Sequence, residues 1–114
     1  MSKLLIKIEK LHKHFENSNS PIKVLNDVNL NLESGKVIAL IGPSGSGKST
    51  FLHLLSLLDT PTKGKISIMG KSTSNLSEDK KNEMIRDNVS IIFQNNNLLS
   101  DFTALENVAI PLII

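Results

Sequence analysis

The run Gly42-Pro43-Ser44-Gly45-Ser46-Gly47-Lys48-Ser49-Thr50 constrains this chain more than any other feature, because it satisfies G-x-x-x-x-G-K-[ST] in full. Gly42, Gly45 and Gly47 let a backbone turn sharply and bring its N–H groups against an anion with no side chain between. A helix opening near Gly47 and Lys48 would aim the positive end of its dipole at the same point. Lys48 can then reach the β- and γ-phosphates of a nucleoside triphosphate as a point charge. The Ser49 hydroxyl can ligate Mg²⁺, and Thr50 supports the α-phosphate side. Pro43, Ser44 and Ser46 supply the rest of the phosphate-facing backbone. The bland alternative is a plain Gly/Ser turn. Context argues against it: an apolar stretch ends just before Gly42 and an amphipathic stretch begins just after.

Hydropathy patterning sets the surroundings. Leu4–Glu9 alternates apolar and polar, which predicts a strand, and Val24–Leu32 predicts a second, half-exposed one. Asn17–Pro21 reads as a turn-rich loop. Lys36–Ile41 is nearly continuous in apolar residues, as expected of a strand buried on both faces. Ser49–Asp59 fits a helix with a wide apolar face, stopped by Pro61 and Gly64. Short strands are predicted over Lys65–Met69 and Val89–Phe93. Ser77 reads as the N-cap of a helix running to about Asp87, with Glu78 and Asp79 in its first turn. Thr103 and Glu106 have capping-box spacing, so a last helix is expected there, soon disturbed by Pro111. The apolar end Leu112-Ile113-Ile114 is what a cut through a fold would leave, a short docked segment being the alternative.

Bulk properties exclude several classes. At 114 residues there is room for one small domain or part of a larger one. Hydrophobic content of 39% and charged content of 21% do not fit a disordered chain. A net charge of +2 without a basic, aromatic-interleaved stripe does not fit nucleic-acid binding. With no Cys, there is no disulfide framework and no thiolate metal site. The charged N-terminal stretch does not fit a signal peptide, and the apolar runs fall far short of the roughly 20 residues a membrane helix needs. The expected location is cytoplasmic, with any membrane association made through a partner.

Around the phosphate loop the sequence resembles the ATP-binding subunits of ATP-binding-cassette (ABC) transporters, over nearly the whole chain. The stretch VLNDVNLNLESGKVIALIGPSGSGKSTFLHLLSLLDTPTKGKI carries the resemblance most densely. It implies an α/β P-loop NTPase fold, with a mixed sheet and a P-loop helix, truncated before the family's helical signature region. Residues 1–114 would be the incomplete N-terminal part of one such domain. It also implies ATP and Mg²⁺ as cofactors. Phe15 falls where the family places an aromatic that stacks on adenine. By itself Phe15 reads as ordinary packing. Gln94, which follows Ile91-Ile92-Phe93, falls at the family's Q-loop glutamine, a ligand of magnesium and water whose loop contacts the membrane subunit. The runs Leu57–Thr62 and Leu98–Ala109 look most like the lipoprotein-releasing branch, with MacB-type exporters near. Ser100 replaces a usual Pro, and Asn95–Asn97 replaces a more varied loop.

The partners this implies are membrane-spanning transporter subunits and a second ATP-binding subunit. Residues 1–114 contain no LSGGQ signature, no Walker B strand with its catalytic Glu and no switch His of the family's kind. Leu54–Asp59 is apolar and ends in Asp, but it continues the helical pattern and is followed by Thr60. His12, His14 and His53 read as surface or packing residues. Hydrolysis by these residues alone is therefore expected to be very slow or absent. Without a neighbouring Walker B strand, Lys36–Ile41 would present an unpaired apolar edge. The competing functional readings are a non-catalytic nucleotide-binding remnant and a module that docks a membrane protein without turnover. A small P-loop kinase would want an Arg-rich lid, and Arg86 is the chain's one arginine.

Overall fold

The computed structural model describes residues 3–16, 19–95 and 97–113. Its strands are β1 (Leu4–Phe15), β2 (Ile22–Glu33), β3 (Lys63–Ile68) and β4 (Lys71–Ser72), and its helices are α1 (Lys48–Leu55), α2 (Glu78–Asn88) and α3 (Ala104–Ile113). The strands form one antiparallel sheet in the order β2-β1-β3-β4. Asn17 and Ser18 of the expected turn, Asn96 and the terminal Ile114 lie outside the described residues.

β1 runs past the Glu9 end that alternation predicts, because a bulge resets its phase. The register steps from Ile8↔Leu30 to Leu11↔Val28, Lys10 sits at φ 48°, and its N–H donates to Asn29 Oδ1 at 2.8 Å. The extra residue returns Leu11, and with it Lys13 and Phe15, to the face that Ile8 occupies. Gly64 of β3 lies against this bulge. At φ +96° and with a Cβ that would sit 2.2 Å from the Lys10 carbonyl oxygen, the position admits only glycine.

The core lies between this sheet and α1. Ile8, Leu11, Leu25, Ile66 and Ile68 from the strands meet Phe51, Leu54 and Leu57, with Met84 and Ile85 of α2 packed at its margin. α1 is shorter than its apolar pattern suggests, ending at Leu55 and not at Asp59. The Leu57 N–H donates to the Leu54 carbonyl at 3.2 Å and the Leu58 N–H to that of His53 at 2.9 Å, with Leu57 left-handed at φ 63°. This is a Schellman stop with Leu where Gly is usual. The Leu57 side chain is buried in the core, which offsets a left-handed penalty of about 1–2 kcal/mol.

Ser77 caps α2 as expected, its Oγ accepting from the Lys80 N–H at 3.3 Å. The Thr103–Glu106 capping box also forms, with reciprocal bonds of 3.0 and 3.1 Å. α3 nevertheless continues through Pro111 to Ile113. So close to a helix end, the missing N–H removes only one intrahelical bond.

Two expected strands are not strands here. Lys36–Ile41 and Val89–Phe93 have no ladder partner among the described residues. Their apolar side chains are open: Val37 and Ile92 are each 99% exposed and Ile41 is 89% exposed. A strand needs a neighbour for its N–H and C=O groups as well as an apolar pattern. The antiparallel part of the expected mixed sheet is thus the part whose pairing is completed within these residues.

Candidate functional site

The phosphate loop connects the extended segment before Gly42 to the first turn of α1. Gly47 is the N-cap residue of α1, at φ 97°, and no side chain caps the helix among the described residues. A Cβ at Gly47 would lie 3.0 Å from Val24 Cγ1 and 3.2 Å from the Val24 carbonyl oxygen, so the loop is seated directly on β2. Ser46 N–H closes the turn on the Pro43 carbonyl at 3.2 Å.

The Lys48 ammonium folds back over the loop. It donates to the Gly42 carbonyl, to that of Pro43 at 2.8 Å and to Ser46 Oγ at 3.3 Å. A cation held inside a ring of backbone, beside a helix N-terminus without a side-chain cap, is a fitting cradle for phosphate oxygens. Those oxygens would take the place of the carbonyls as acceptors for Lys48. Ser49 and Thr50 follow in the same helical turn, and Ser44 and Gly45 form the tip of the loop.

A cavity of about 520 Å³ opens beside α1 and brings three expected site residues together: Lys48, Ser49 and Gln94. Leu40, Leu52, Ile91 and Phe93 give it apolar walls, contributed by the two unladdered segments and α1. The Ser49 hydroxyl and the Gln94 amide oxygen, in a lining that also includes His53, Ser56, Asn95 and Asn97, could hold a hydrated divalent cation beside a triphosphate. Among the described residues there is no group of three or more His, Cys, Asp or Glu able to hold a metal by themselves, so the phosphates would have to supply the remaining charge.

Phe15 does not line that cavity. It ends β1 opposite Ile22, two residues before the Val24 that touches Gly47. Phe15 is 42% exposed, and the Lys13 ammonium sits 5.1 Å from the ring centroid. Lys13 also bonds Asp59 Oδ1 at 3.1 Å and the Thr60 carbonyl at 2.8 Å. Burial pushes the Asp59 carboxyl up, but the Thr60 N–H and the Lys13 ammonium, with a further contribution from His53, outweigh it and hold the group below its ordinary value. Sequence reasoning did not find Lys13 or its tie to Asp59. The signal was present as Lys13 and Phe15 two apart on one strand face, but its partner lies 46 residues away. His12 and His14 are half-buried packing residues, their rings edge-to-face at 6.0 Å.

Residues 25–111 match the ABC transporter family. The whole chain is 46% identical, over 115 residues, to the lipoprotein-releasing system ATP-binding protein LolD of Rickettsia bellii and spans 49% of that protein. Among solved structures, a dimeric post-hydrolysis state of the ATP-binding cassette MJ0796 bound to ADP and Pi superposes with a TM-score of 0.88 at 39% identity, covering 96% of this chain and 47% of that one. A second dimeric structure of MJ0796, described as a bacterial ABC transporter cassette, gives a TM-score of 0.89 at 40% identity with the same coverage. The chain therefore spans about half the length of the relatives it matches. No helix among the described residues is long and apolar enough to cross a membrane. A glycine-rich loop seated on an antiparallel sheet, in the fold of these cassettes and in a sequence matched from Leu25 to Pro111, places the chain in the ABC transporter family.

Proposed function

We propose that residues 1–114 form the N-terminal part of one ABC ATP-binding domain and hold MgATP, and that the assembled transporter uses it to release lipoproteins from the inner membrane. The observation that carries the site reading is the meeting of Lys48, Ser49 and Gln94 at one cavity beside the phosphate loop. Gly42 to Gly47 wrap the phosphates with backbone N–H groups, Lys48 neutralises the β- and γ-phosphates, and Thr50 supports the α-phosphate side. Ser49 and Gln94 would hold Mg²⁺, which would supply positive charge to offset that of the phosphates. Gln94 also orients water at the same place. Phe15 stacks on the adenine.

None of these groups polarises an attacking water as a base. Turnover by residues 1–114 alone is therefore very slow or absent, and hydrolysis belongs to the completed domain. Similarity to LolD supports the lipoprotein-releasing role. In that role the partners are membrane-spanning subunits of LolC/LolE type and a second ATP-binding subunit. The chain then works as a peripheral subunit at the cytoplasmic face of the inner membrane.

Calorimetric titration with MgATP tests the site. Lys48→Ala removes charge-assisted hydrogen bonds of about 1.5–3 kcal/mol and should weaken binding by roughly 10- to 150-fold. An unchanged affinity in that variant would remove the phosphate-loop reading.

A further inference from the structure

We infer that Lys13 is a positioning residue for the base end of the site: it holds the Phe15 ring from one face and yokes it to the helix that begins at the phosphate loop. The inference rests on the reading of Phe15 as the adenine-stacking residue.

The side chain of Lys13 is only 13% exposed. A lysine so far out of water must find partners for its charge. Two of its three protons go to oxygens that belong to one turn, Asp59 Oδ1 at 3.1 Å and the Thr60 carbonyl at 2.8 Å. That turn follows α1, whose other end is the phosphate loop. The same ammonium lies 5.1 Å from the Phe15 centroid, within cation–π range. One charge thus joins the strand that carries the ring to the helix that carries Lys48 and Ser49.

The union of strand and turn does not itself need this charge. The Thr62 N–H donates to the His12 carbonyl at 2.9 Å, and the His14 N–H donates to Thr62 Oγ1 at 2.9 Å. These two bonds, one backbone–backbone and one to the Thr62 hydroxyl, strap the turn to β1 without the charge. What the ammonium adds is local to the ring. It fixes the ring's position and draws π-density toward itself, which leaves the other face better matched to an electron-rich purine.

Two probes separate the base end from the phosphate end: MgATP, and magnesium tripolyphosphate, which has no base. Each is titrated calorimetrically into the purified protein. Phe15→Ala should lower MgATP affinity by about 5- to 100-fold and leave tripolyphosphate unchanged. Lys13→Met, which keeps the aliphatic stem, should lower MgATP affinity by about 3- to 10-fold with tripolyphosphate unchanged. Lys13→Arg should restore MgATP binding to within about twofold. On the Phe15→Ala background, Lys13→Met should have no further effect. Equal losses with both probes in Lys13→Met, or an undiminished loss on the Phe15→Ala background, overturn the role of Lys13 while leaving Phe15 in place. An unchanged ratio of the two affinities in Phe15→Ala overturns the reading of Phe15 itself. Should Lys13→Met not fold, Asp59→Asn removes the charge partner without changing shape and should shift the same ratio in the same direction; no shift there also overturns the proposal.

Discussion

The sheet side of the molecule and the side formed by the unladdered segments and α3 both carry apolar side chains and end in opposite states. Ile8, Leu11, Ile66 and Leu54 are sealed between the sheet and α1. Val37, Ile41 and Ile92 stand open to solvent, as do Leu105 and Val108 of α3. Hydrophobicity does not distinguish them, but completion of pairing does. Every strand from β1 to β4 finds a hydrogen-bonded neighbour within reach of short connections. Lys36–Ile41 and Val89–Phe93 carry the pattern of strands buried on both faces, and such strands need neighbours on both edges and layers above and below. The chain spans about half of its relatives' length, and the sealed half is the part that supplies its own neighbours.

The largest expected effect tests whether the sealed side carries the stability. Leu54→Ala opens a cavity in the core between the sheet and α1 and should destabilise by about 2–5 kcal/mol, read from chemical denaturation. A loss below about 1 kcal/mol would mean that the core is not the cooperative unit. At the joint between the two sides, Ser49→Ala should abolish most of the gain in ATP affinity that Mg²⁺ confers, by about tenfold, while metal-free ATP binds as before. Equal loss with and without Mg²⁺ would place the Ser49 hydroxyl on phosphate and not on the ion.

A smaller effect concerns the Lys13–Asp59 tie. The Asp59 carboxyl is held below its ordinary value in the folded chain, so its contribution is present above the unfolded value of about 3.9 and fades as pH falls through the folded value. The thermal midpoint of the wild type should exceed that of Asp59→Asn at pH 6, and the gap should close below about pH 4. A gap that is constant with pH would assign the difference to packing. The smallest effect belongs to the exposed apolar residues of the unladdered segments. Val37→Ser and Ile92→Ser should shift folding stability by no more than about 0.5 kcal/mol while reducing aggregation, measured by light scattering. A shift comparable to that of Leu54→Ala would show that these residues are buried in solution.

Local signals were legible in proportion to their range. The Ser77 cap and the Thr103–Glu106 box involve residues a few positions apart, and each forms as its spacing predicts; the helix expected after the glycine-rich run likewise begins at Lys48. The length of β1 was not legible, because a bulge at Lys10 breaks the alternation that marks a strand. Nor was the early end of α1, where core burial places Leu57 in a conformation its propensity disfavours.

The sequence by itself determined the local geometry of the glycine-rich loop, since glycine placement and the Lys-Ser-Thr that follows act through backbone geometry within one turn. Tertiary structure alone decided what surrounds it. The bulge carries Phe15 to the end of β1, the cavity gathers Ser49 with Gln94, and Lys13 meets Asp59 across 46 residues of chain. Such meetings depend on register and packing, which no window of sequence contains. The same reason explains why Lys36–Ile41 has the composition of a strand and is not one: a ladder is a property of two segments, and this segment has no ladder partner among the described residues.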